Sequence, residues 1–543
     1  MRSIFKRIFS CAALAFLFCS CGQKQSSPTP QGNAPVEQIF HLGNGTEPQD
    51  LDPHTVAGVP EHHIITALIE GLVVPEPHDP GHVKVLPGVA ETWDISPDKT
   101  TYTFHLRANS KWSNGDPVTA QDFVKTYQRI LSPTLASEYA YMLFIVKGAE
   151  DFNTSKLKNF DDVGFKALDD RTLQVQLRAP TPYFLPLLTH YSWFPLHLPT
   201  LEKYGKVYER GNTWTLPGHF VGNGPFLLTE WKQNQIIIVK KNPDYWDAAN
   251  VKLKEIHFHP IESEDTEERA FRTGQLHVSN TVPGSKIPVY RKEHPDWLVI
   301  DDYFGNYFYR LNVTKPPLNN KKVRQALALC IDRKAIVEHI TRAGQKPAYN
   351  LTPTIANLYQ CEPQFAEDIE KARKLMAEAG YPGGKGCPTI EILFNTLETH
   401  RSIAEAIQQM WKKHLGIDAQ LVNQEWKVYL DSQRQLNYQV CRGSWIGDYP
   451  DPNSFLDMWV TGGGNNETGF SNAEYDRLIR EAGMTADPKA RMEIFHKAEV
   501  LLMDEMPIIP IYFYTKNFLM KPNVKGWYSN ILDDHPWKFV YLE

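Results

Sequence analysis

Helix-like and strand-like hydrophobic periodicities alternate along this chain. In residues 323–331, 369–379 and 403–411, apolar side chains recur with the spacing of one helix face. In residues 417–421 they alternate with polar ones, as in a half-buried strand, and residues 236–239 are apolar throughout. Helices and strands mixed in this way over a long chain predict an α/β fold.

The length of the chain indicates several domains. Its 543 residues correspond to about three domains of ordinary size. Residues 86–130 are rich in strands and turns, residues 318–420 alternate between helices and strands, and a Gly/Pro loop at 222–225 lies between them. We therefore expect two lobes and an additional domain, with chain crossings between the lobes.

The composition excludes several classes of protein. The hydrophobic fraction of 42% is sufficient for a large core, so general disorder is excluded. Lys and Arg total 57 against 63 Asp and Glu, which gives a formal net charge of -6. The basic excess that is typical of nucleic-acid binders is absent, and no nucleic-acid partner is expected.

The N-terminal residues have the composition of an export signal. Three basic residues, Arg2, Lys6 and Arg7, precede an apolar run at 8–18 that is too short to span a bilayer. We predict that residues 1–20 are a signal peptide and that the mature protein is exported.

A lipid attachment site follows the apolar run. The sequence Phe18-Cys19-Ser20-Cys21-Gly22 resembles a bacterial lipobox, in which Cys21 receives the lipid. Residues 21–38 are rich in Ser, Pro, Gln and Gly, as in a flexible tether, and no later apolar run reaches 18 residues. We predict a membrane-anchored lipoprotein on the periplasmic or cell-envelope face. An ordinary signal peptide that is cleaved nearby is the alternative.

Four more cysteines follow the tether, and export permits them to form disulfides. Cys361 and Cys387 flank one helix-and-loop segment, and we expect them to pair. Cys330 lies on a helical apolar stripe and is expected to be a buried thiol. Neither these three nor Cys441 has CxxC spacing, so a zinc ribbon is not expected.

The sequence contains no signature of a common catalytic site. It has no GxSxG, no HExxH and no phosphate-binding loop, since Gly462-Gly463-Gly464 is not followed by Lys-Ser/Thr. His257 and His259 would lie on one strand face, an arrangement that can bind a metal, but no third ligand is evident. His62 and His63 would point to different faces of any regular element. We expect no enzymatic activity, no metal and no cofactor.

Six sequence segments follow one another over nearly all of the mature chain. They contain Leu51-Asp52-Pro53-His54, Pro87-Gly88-Val89-Ala90-Glu91-Thr92-Trp93, Asn223-Gly224-Pro225-Phe226, Val323-Arg324-Gln325-Ala326-Leu327, Val422-Asn423-Gln424-Glu425-Trp426-Lys427 and Trp445-Ile446-Gly447-Asp448-Tyr449. In this order they resemble the extracytoplasmic solute-binding proteins of peptide ABC importers, and above all the members that bind oligopeptides. Six segments in family order are a strong signal, and the export signal, the tether and the domain number agree with it independently.

The resemblance implies a two-lobed α/β fold of the periplasmic-binding-protein type, similar to type II, with an additional domain and a hinge between the lobes. We assign residues 39–70, 195–304 and 515–543 to lobe I, residues 71–194 to the additional domain and residues 305–514 to lobe II. The lobes would close around a ligand by hinge motion.

The resemblance also implies a role for Asp448, in the sixth segment. In oligopeptide binders a carboxylate at this position pairs with the free α-ammonium of the ligand. Asp is also a common turn residue, so capping of the turn before Pro450 is the alternative. Trp445 would line a side-chain pocket, and a plain core position competes for it.

Main-chain groups and aromatic side chains complete the implied site. The family binds the peptide backbone through strand-like hydrogen bonds, and such contacts do not read the ligand's side chains. The matching main-chain positions are Gly443, Ser444, Trp445 and Ile446 and, from the other lobe, Ala57, Gly58 and Val59. The matching aromatic positions, for each of which core packing is the alternative, are Tyr139, Tyr303, Tyr512 and Tyr514.

Positive charge is expected where the carboxyl terminus of the ligand lies. Arg442 and His400 match family positions that meet this terminus at different ligand lengths. Arg434 is one residue away from another such position, which is Gln433 in this chain.

Two residues depart from the pattern of well-known members. Ala57 and Arg310 stand where those members carry acidic residues. We therefore expect a preference for acidic or less basic ligands, and this leaves open the carboxylate-rich peptides of murein, which another branch of the family recovers.

The implied function is that of a lipid-anchored, monomeric receptor that captures short peptides with a free amino terminus and delivers them to an ABC permease. Capture of murein peptides is the alternative. A secreted peptidase is less favoured, because no catalytic triad or metal set is recognisable. A role as an adhesin or a peptide-signal sensor stays open, because a fold does not determine a function.

Overall fold

The computed structural model describes residues 36–543, so the predicted signal peptide, Cys21 and nearly all of the tether lie outside the described residues. The strands of the described part are β1 Ile39–Gly43, β2 Val73–Pro75, β3 Val85–Pro87, β4 Ala90–Ile95, β5 Thr101–Leu106, β6 Phe165–Asp169, β7 Thr172–Gln176, β8 Phe226–Lys232, β9 Ile236–Lys241, β10 Glu255–His259, β11 Leu298–Leu311, β12 Lys346–Pro347, β13 Ile390–Asn395, β14 Ala419–Gln424, β15 Val440–Ile446, β16 Ile508–Leu519, β17 Val524–Lys525 and β18 Tyr541–Leu542.

The α-helices of the same residues are α1 Val59–Leu68, α2 Ala120–Ile130, α3 Ala149–Asn153, α4 Phe184–Leu187, α5 Leu198–Tyr204, α6 Glu264–Arg272, α7 Ile287–Glu293, α8 Lys321–Leu329, α9 Arg333–Ile336, α10 Ile369–Glu378, α11 Glu398–Leu415, α12 Trp426–Arg434, α13 Asn453–Leu456, α14 Ala473–Met484 and α15 Pro488–Glu505. Within residues 36–543, no helix combines the length and the apolar character that crossing a membrane requires.

Three larger sheets organise the described chain. A six-stranded sheet has the order β12-β16-β11-β15-β13-β14 and mixes parallel with antiparallel pairs. A four-stranded sheet, β1-β10-β9-β8, joins the first strand in parallel to a strand from the middle of the chain. The third sheet is antiparallel and has the order β4-β5-β7-β6, and its strands lie between β3 and β8 in sequence. The predicted α/β class is confirmed.

β11 and β16 are long, neighbouring, antiparallel strands. They pair from Leu298 with Leu519 onward, and their register shifts between Asp302 and Asn306. Both strands cross a predicted lobe boundary, at residues 304/305 and 514/515. Strand irregularities bend a sheet locally, so these two strands are where we expect lobe movement to be absorbed. The lobe boundaries themselves stay a prediction.

Helices α8, α10 and α11 cover the six-stranded sheet with the apolar faces that their periodicity predicts. Val323, Leu327 and Ile331 are fully buried in one core with Ile407 and Trp411. Burying such a side chain stabilises the fold by about 1.5–3 kcal/mol. The side chain of Asn320 accepts the N–H of Lys322 at 3.0 Å and so caps α8, as its position before the helix predicts.

The expected disulfide between Cys361 and Cys387 is wrong, because all four cysteines of the described residues are free. Helix α10 lies between the two thiols, and ten helical residues extend about 15 Å. Cys361 packs in the core that contains Tyr359 and Phe495, whereas Cys387 packs on the core under the six-stranded sheet. A disulfide needs Cα atoms within about 7 Å. Cys330 is buried, as predicted.

Candidate functional site

Two adjoining cavities of about 180 and 260 Å³ form one cleft in the described chain. Their shared lining comes from α1, β11, α12 and β15, and consists of Val59, Tyr303, Trp426, Arg442, Ser444 and Ile446. Because α1 belongs to the segment assigned to lobe I and β15 to the segment assigned to lobe II, the cleft has one wall from each. We name the two halves the Asp448 cavity and the His400 cavity, after a residue that lines only one of them.

β15 presents an unpaired edge to this cleft. On one side, all seven of its residues pair with β11. On the other side, β13 pairs only with Val440 and Cys441. Backbone groups of residues 443–446 that point to this side have no strand partner in the described part of the chain. An extended ligand could therefore add to β15 as a further strand.

The turn before α1 forms the opposite wall. Ala57, Gly58 and Val59 line the Asp448 cavity, as the resemblance implies. Gly58 is extended, with φ −101° and ψ 152°. A Cβ on Gly58 would meet the Glu61 carboxylate and would lie 3.3 Å from the Trp426 ring. The two walls thus approach each other closely, and both expose extended backbone.

Asp448 is a buried carboxylate in the wall of its cavity. Its side chain is 8% exposed and lies 3.4 Å from Nε2 of His190 and 3.4 Å from Oγ of Ser454, which donates to it. Burial raises the pKa of Asp448 well above 3.8, and the neighbouring Asp457 carboxylate raises it further. None of the hydrogen bonds that this side chain accepts within residues 36–543 comes from a backbone N–H of the turn before Pro450, and Asp451 accepts the N–H of Asn453 at 3.0 Å in the next turn.

The tautomer of His190 follows from its hydrogen bonds. The backbone N–H of Ser192 donates to Nδ1 of His190 at 3.2 Å, so Nδ1 is an acceptor and the proton of the neutral ring is on Nε2. Burial lowers the pKa of His190 well below 6.5. A neutral imidazole N–H therefore faces Asp448 where a full positive charge would bind more strongly.

Arg442 and His400 lie together in the His400 cavity. The guanidinium of Arg442 donates to the Tyr514 hydroxyl at 3.0 Å and to Oδ1 of Asn395 at 3.5 Å. None of its hydrogen bonds or ion pairs within residues 36–543 is to a carboxylate, and its Nε has no partner there. Nδ1 of His400 is 3.4 Å from the Tyr307 hydroxyl, and burial together with Arg442 lowers the pKa of His400 well below 6.5.

The aromatic positions are distributed along the whole cleft. Tyr139 lines the Asp448 cavity, Tyr512 and Tyr514 line the His400 cavity, and Tyr303 lines both. Trp445 lines the Asp448 cavity and is also buried, with its Nε1 donating to the backbone oxygen of Ser454 at 2.6 Å. For Trp445 the two sequence-based alternatives, pocket lining and core packing, are both realised.

The two remaining arginines are already paired within the protein. Arg310 lines the Asp448 cavity, and its Nη2 lies 3.2 Å from the Glu467 carboxylate. The structure thus offsets the positive charge on which the expected preference for acidic ligands rests. Arg434 lies outside both cavity linings and donates to Glu138 at 2.6 Å, whereas its neighbour Gln433 lines the Asp448 cavity.

Sequence reasoning missed part of the Asp448 cavity. His82 and His190 and the C-terminal residues Asp533 and Asp534 line it, together with His62. In the sequence, His62 stood out only as one of two adjacent histidines, and no local pattern marked the other four residues. They are far apart in sequence, and only the fold brings them together.

The histidine pair on β10 is not part of the cleft. His257 and His259 share one face of the strand, as predicted, and His41 on β1 lies beside them, with its Nδ1 3.1 Å from Nε2 of His259. Among residues 36–543, no group of three or more potential ligands has a geometry that could hold a metal ion.

Comparison with known proteins identifies the relatives of the chain. The profile of "Bacterial extracellular solute-binding proteins, family 5 Middle" matches residues 84–467. The periplasmic oligopeptide-binding protein OppA of Escherichia coli K12 is 38% identical over 538 residues, which cover 97% of this chain and 96% of the relative.

Two solved structures of one relative bear on the arrangement of the lobes. The Escherichia coli murein tripeptide-binding protein MppA is 35% identical and superposes with a TM-score of 0.88, covering 93% of this chain and 99% of that one. Its unliganded open form reaches only 0.62 at the same identity, with 93% and 98% covered. The predicted two-lobed fold is confirmed, and the lobes of this chain are not in the open arrangement.

Proposed function

The chain belongs to family 5 of the bacterial extracellular solute-binding proteins, and we propose that it binds short peptides with a free amino terminus between its lobes and delivers them to an ABC permease. Binding and release complete this role, so no bond of the ligand is broken. The relatives named above bind oligopeptides or a murein tripeptide, which supports a peptide as the ligand class.

The observation that carries the proposal is the pair of uncompensated charges beside the β15 edge. In the described chain, the only basic group within ion-pair distance of Asp448 is a weakly basic imidazole, and Arg442 has no carboxylate partner. A peptide zwitterion supplies an ammonium to the first and a carboxylate to the second. A hydrogen bond to a charged group contributes about 1.5–3 kcal/mol, or roughly 10- to 100-fold in affinity.

The free edge of β15 supports recognition of the peptide backbone. Arg442 and Asp448 are six residues apart, and an extended chain rises about 3.3 Å per residue, so their Cα atoms are at most about 20 Å apart. A ligand with one end at each charge therefore has only a few residues.

Anchoring and delivery rest on the N-terminal sequence and on the family. We propose that Cys21 carries a lipid, that the following residues tether the domain to a membrane surface, and that the exported protein acts there as a monomer. OppA and MppA are named as periplasmic proteins, which supports export.

Capture of murein peptides is the second candidate. It is favoured by the likeness to MppA, a murein tripeptide-binding protein. Capture of murein peptides would rely on the same contacts with an ammonium and a carboxylate. The charges of the cleft therefore do not distinguish it from general oligopeptide capture.

Mass spectrometry of ligands released from gently purified, denatured protein tests the proposal. Heterogeneous short peptides with free amino termini would support a general oligopeptide receptor, and a single species with diaminopimelate would support murein-peptide capture. If no ligand is released, calorimetric titration with tripeptides decides. We then expect binding of Ala-Ala-Ala and at least tenfold weaker binding of its N-acetylated form, about 1.4 kcal/mol. Equal affinities, or cleavage of the peptide, would contradict the proposal.

A further inference from the structure

Five carboxylates line the Asp448 cavity, and three of them are neutralised by the protein itself. The lining carboxylates are Glu138, Asp448, Glu467, Asp533 and Asp534. Glu138 pairs with Arg434 at 2.6 Å, Glu467 with Arg310 at 3.2 Å, and Asp533 with Lys516 at 2.8 Å. This leaves Asp448 and Asp534, whose only basic neighbours within ion-pair distance in residues 36–543 are imidazoles.

Asp534 is held firmly, but its carboxylate is poorly satisfied. Its N–H donates to Oδ1 of Asn530 at 3.1 Å, and its C=O accepts from Nδ2 of Asn530 at 2.8 Å. The side chain is only 10% exposed, and the nearest basic groups are the imidazoles of His62, with Nε2 at 3.5 Å, and His82, with Nε2 at 3.8 Å. His62 is its nearest hydrogen-bond partner, and at 3.5 Å this contact is long.

The His82 proton is directed elsewhere. The hydroxyl of Thr189 donates to the Pro186 oxygen at 2.7 Å, so its oxygen is left to accept. Nε2 of His82 is 3.4 Å from that oxygen and 3.8 Å from Asp534, so the Thr189 oxygen is the nearer acceptor for a proton on Nε2. A buried carboxylate without good donors is costly, and a cation that reaches it removes the cost.

Asp534 stays ionised in spite of its burial. Burial raises the pKa of Asp534, but His62, His82 and His535 more than offset this, and the net pKa lies below 3.8. Burial lowers the pKa of His82, which keeps that ring neutral. Lys516 does not supply the missing cation, because it is bound to Asp533. A negative charge is therefore available in this part of the cavity.

His190 links the two uncompensated carboxylates. Its Nε2 is 3.4 Å from Asp448, and its pKa also responds to Asp534 and His62. The two carboxylates both line the Asp448 cavity, whereas Arg442 lines both cavities and donates to Tyr514 in the His400 cavity. A ligand whose α-ammonium is at Asp448 has its first side chains within reach of this region.

We propose that Asp534 binds a cationic side chain at the first or second position of the peptide. This inference rests on the proposed function, and it names a substrate class: short peptides that carry Lys or Arg near a free amino terminus. It also replaces the sequence-based expectation of a preference for acidic ligands, since Arg310 is paired with Glu467.

Calorimetric titration with matched peptides tests this inference. Lys-Ala-Ala and Ala-Lys-Ala are compared with Gln-Ala-Ala and Ala-Gln-Ala. We expect the wild-type protein to bind one of the Lys peptides at least tenfold more tightly than its Gln counterpart, and Asp534→Asn to reduce that ratio to below threefold. Glu405→Gln removes a negative charge from an exposed position of α11 outside both cavity linings, and it should keep the ratio.

The outcomes separate this inference from the proposed function. If the wild-type protein binds the Lys and Gln peptides equally at both positions, the inference fails while peptide binding stands. If Asp534→Asn is folded by circular dichroism and keeps the Lys preference, Asp534 is not its cause and the inference fails. If no peptide binds, the proposed function fails and the inference fails with it. The wild-type comparison decides even if Asp534→Asn does not fold.

Discussion

At the scale of single residues, the cleft is a set of buried charges that lack full partners. Asp448 combines burial, a nearby carboxylate and a neutral imidazole neighbour. Burial and the nearby carboxylate favour its protonated form, and the neutral imidazole supplies no positive charge to offset them until a cation arrives. A peptide ammonium would supply that cation and would draw the proton away, so binding is expected to be coupled to proton release.

The pH dependence of peptide affinity follows from this coupling. Because burial raises the pKa of Asp448 above 3.8, a protonated Asp448 must lose its proton before it pairs with the ammonium. Affinity is therefore expected to rise with pH above about 4 and to fall again near pH 8, where the peptide α-ammonium itself deprotonates. Titrations at acidic pH in two buffers of different ionisation enthalpy should detect proton release on binding.

Asp448→Asn is the control for the pH prediction. It cannot release a proton, so we expect its acidic limb to be flat and its affinity for a free amino terminus to fall by at least about tenfold. An acidic limb that persists in this variant would assign the titration to another group.

At the scale of elements, β15 supplies most of the site because it is a central strand that is paired along only part of one edge. β11 holds its whole length on one side, and β13 stops pairing after Cys441. Gly443 allows the close packing that this position needs. A Cβ there would lie 2.7 Å from the Phe308 ring and 2.8 Å from the Arg310 guanidinium.

Gly443→Ala is expected to destabilise the protein. Forcing a methyl group against a buried ring costs about 1–3 kcal/mol, and thermal unfolding should show a lower melting temperature. Gly81→Ala is the matched control, because a Cβ there would meet its nearest atom at 3.6 Å, an ordinary contact distance. Equal melting temperatures for the two variants would contradict the packing argument.

At the scale of the whole molecule, hydrogen bonds between the N-termini of α6 and α11 connect the segments assigned to the two lobes beside the His400 cavity. Glu398, at the start of α11, accepts from Oγ of Ser263 at 2.8 Å and from the N–H of Glu264 at 3.0 Å, at the start of α6. In return, the Glu264 carboxylate accepts from Oγ1 of Thr399 at 2.8 Å. Carboxylates at helix N-termini are stabilising. Since α6 and α11 belong to segments assigned to different lobes, these bonds favour closure.

Glu398→Ala is expected to shift the protein towards an open arrangement. Loss of a helix-capping side chain costs about 0.5–2 kcal/mol, which corresponds to roughly 2- to 30-fold in the ratio of closed to open molecules. Small-angle X-ray scattering should show a larger radius of gyration, and peptide affinity should fall. Glu405→Ala, an exposed position on the same helix, is the control. An unchanged radius of gyration in Glu398→Ala would show that these bonds do not hold the lobes.

The local features of this protein follow from the amino-acid sequence. The apolar faces of α8, α10 and α11, the cap at Asn320 and the α/β class follow from the spacing of neighbouring residues. The motif order identified the family, and the structure brings Asp448, Arg442 and the turn before α1 to one cleft.

Which groups face one another depends on the tertiary fold. It separated Cys361 from Cys387 by packing them in different cores. It placed Glu467 against Arg310 and left Asp534 with two imidazoles. The physical reason is that hydrophobic periodicity is a local property, encoded within a few turns of chain. The effective charge and reactivity of a side chain depend on burial and on partners that come from remote parts of the sequence.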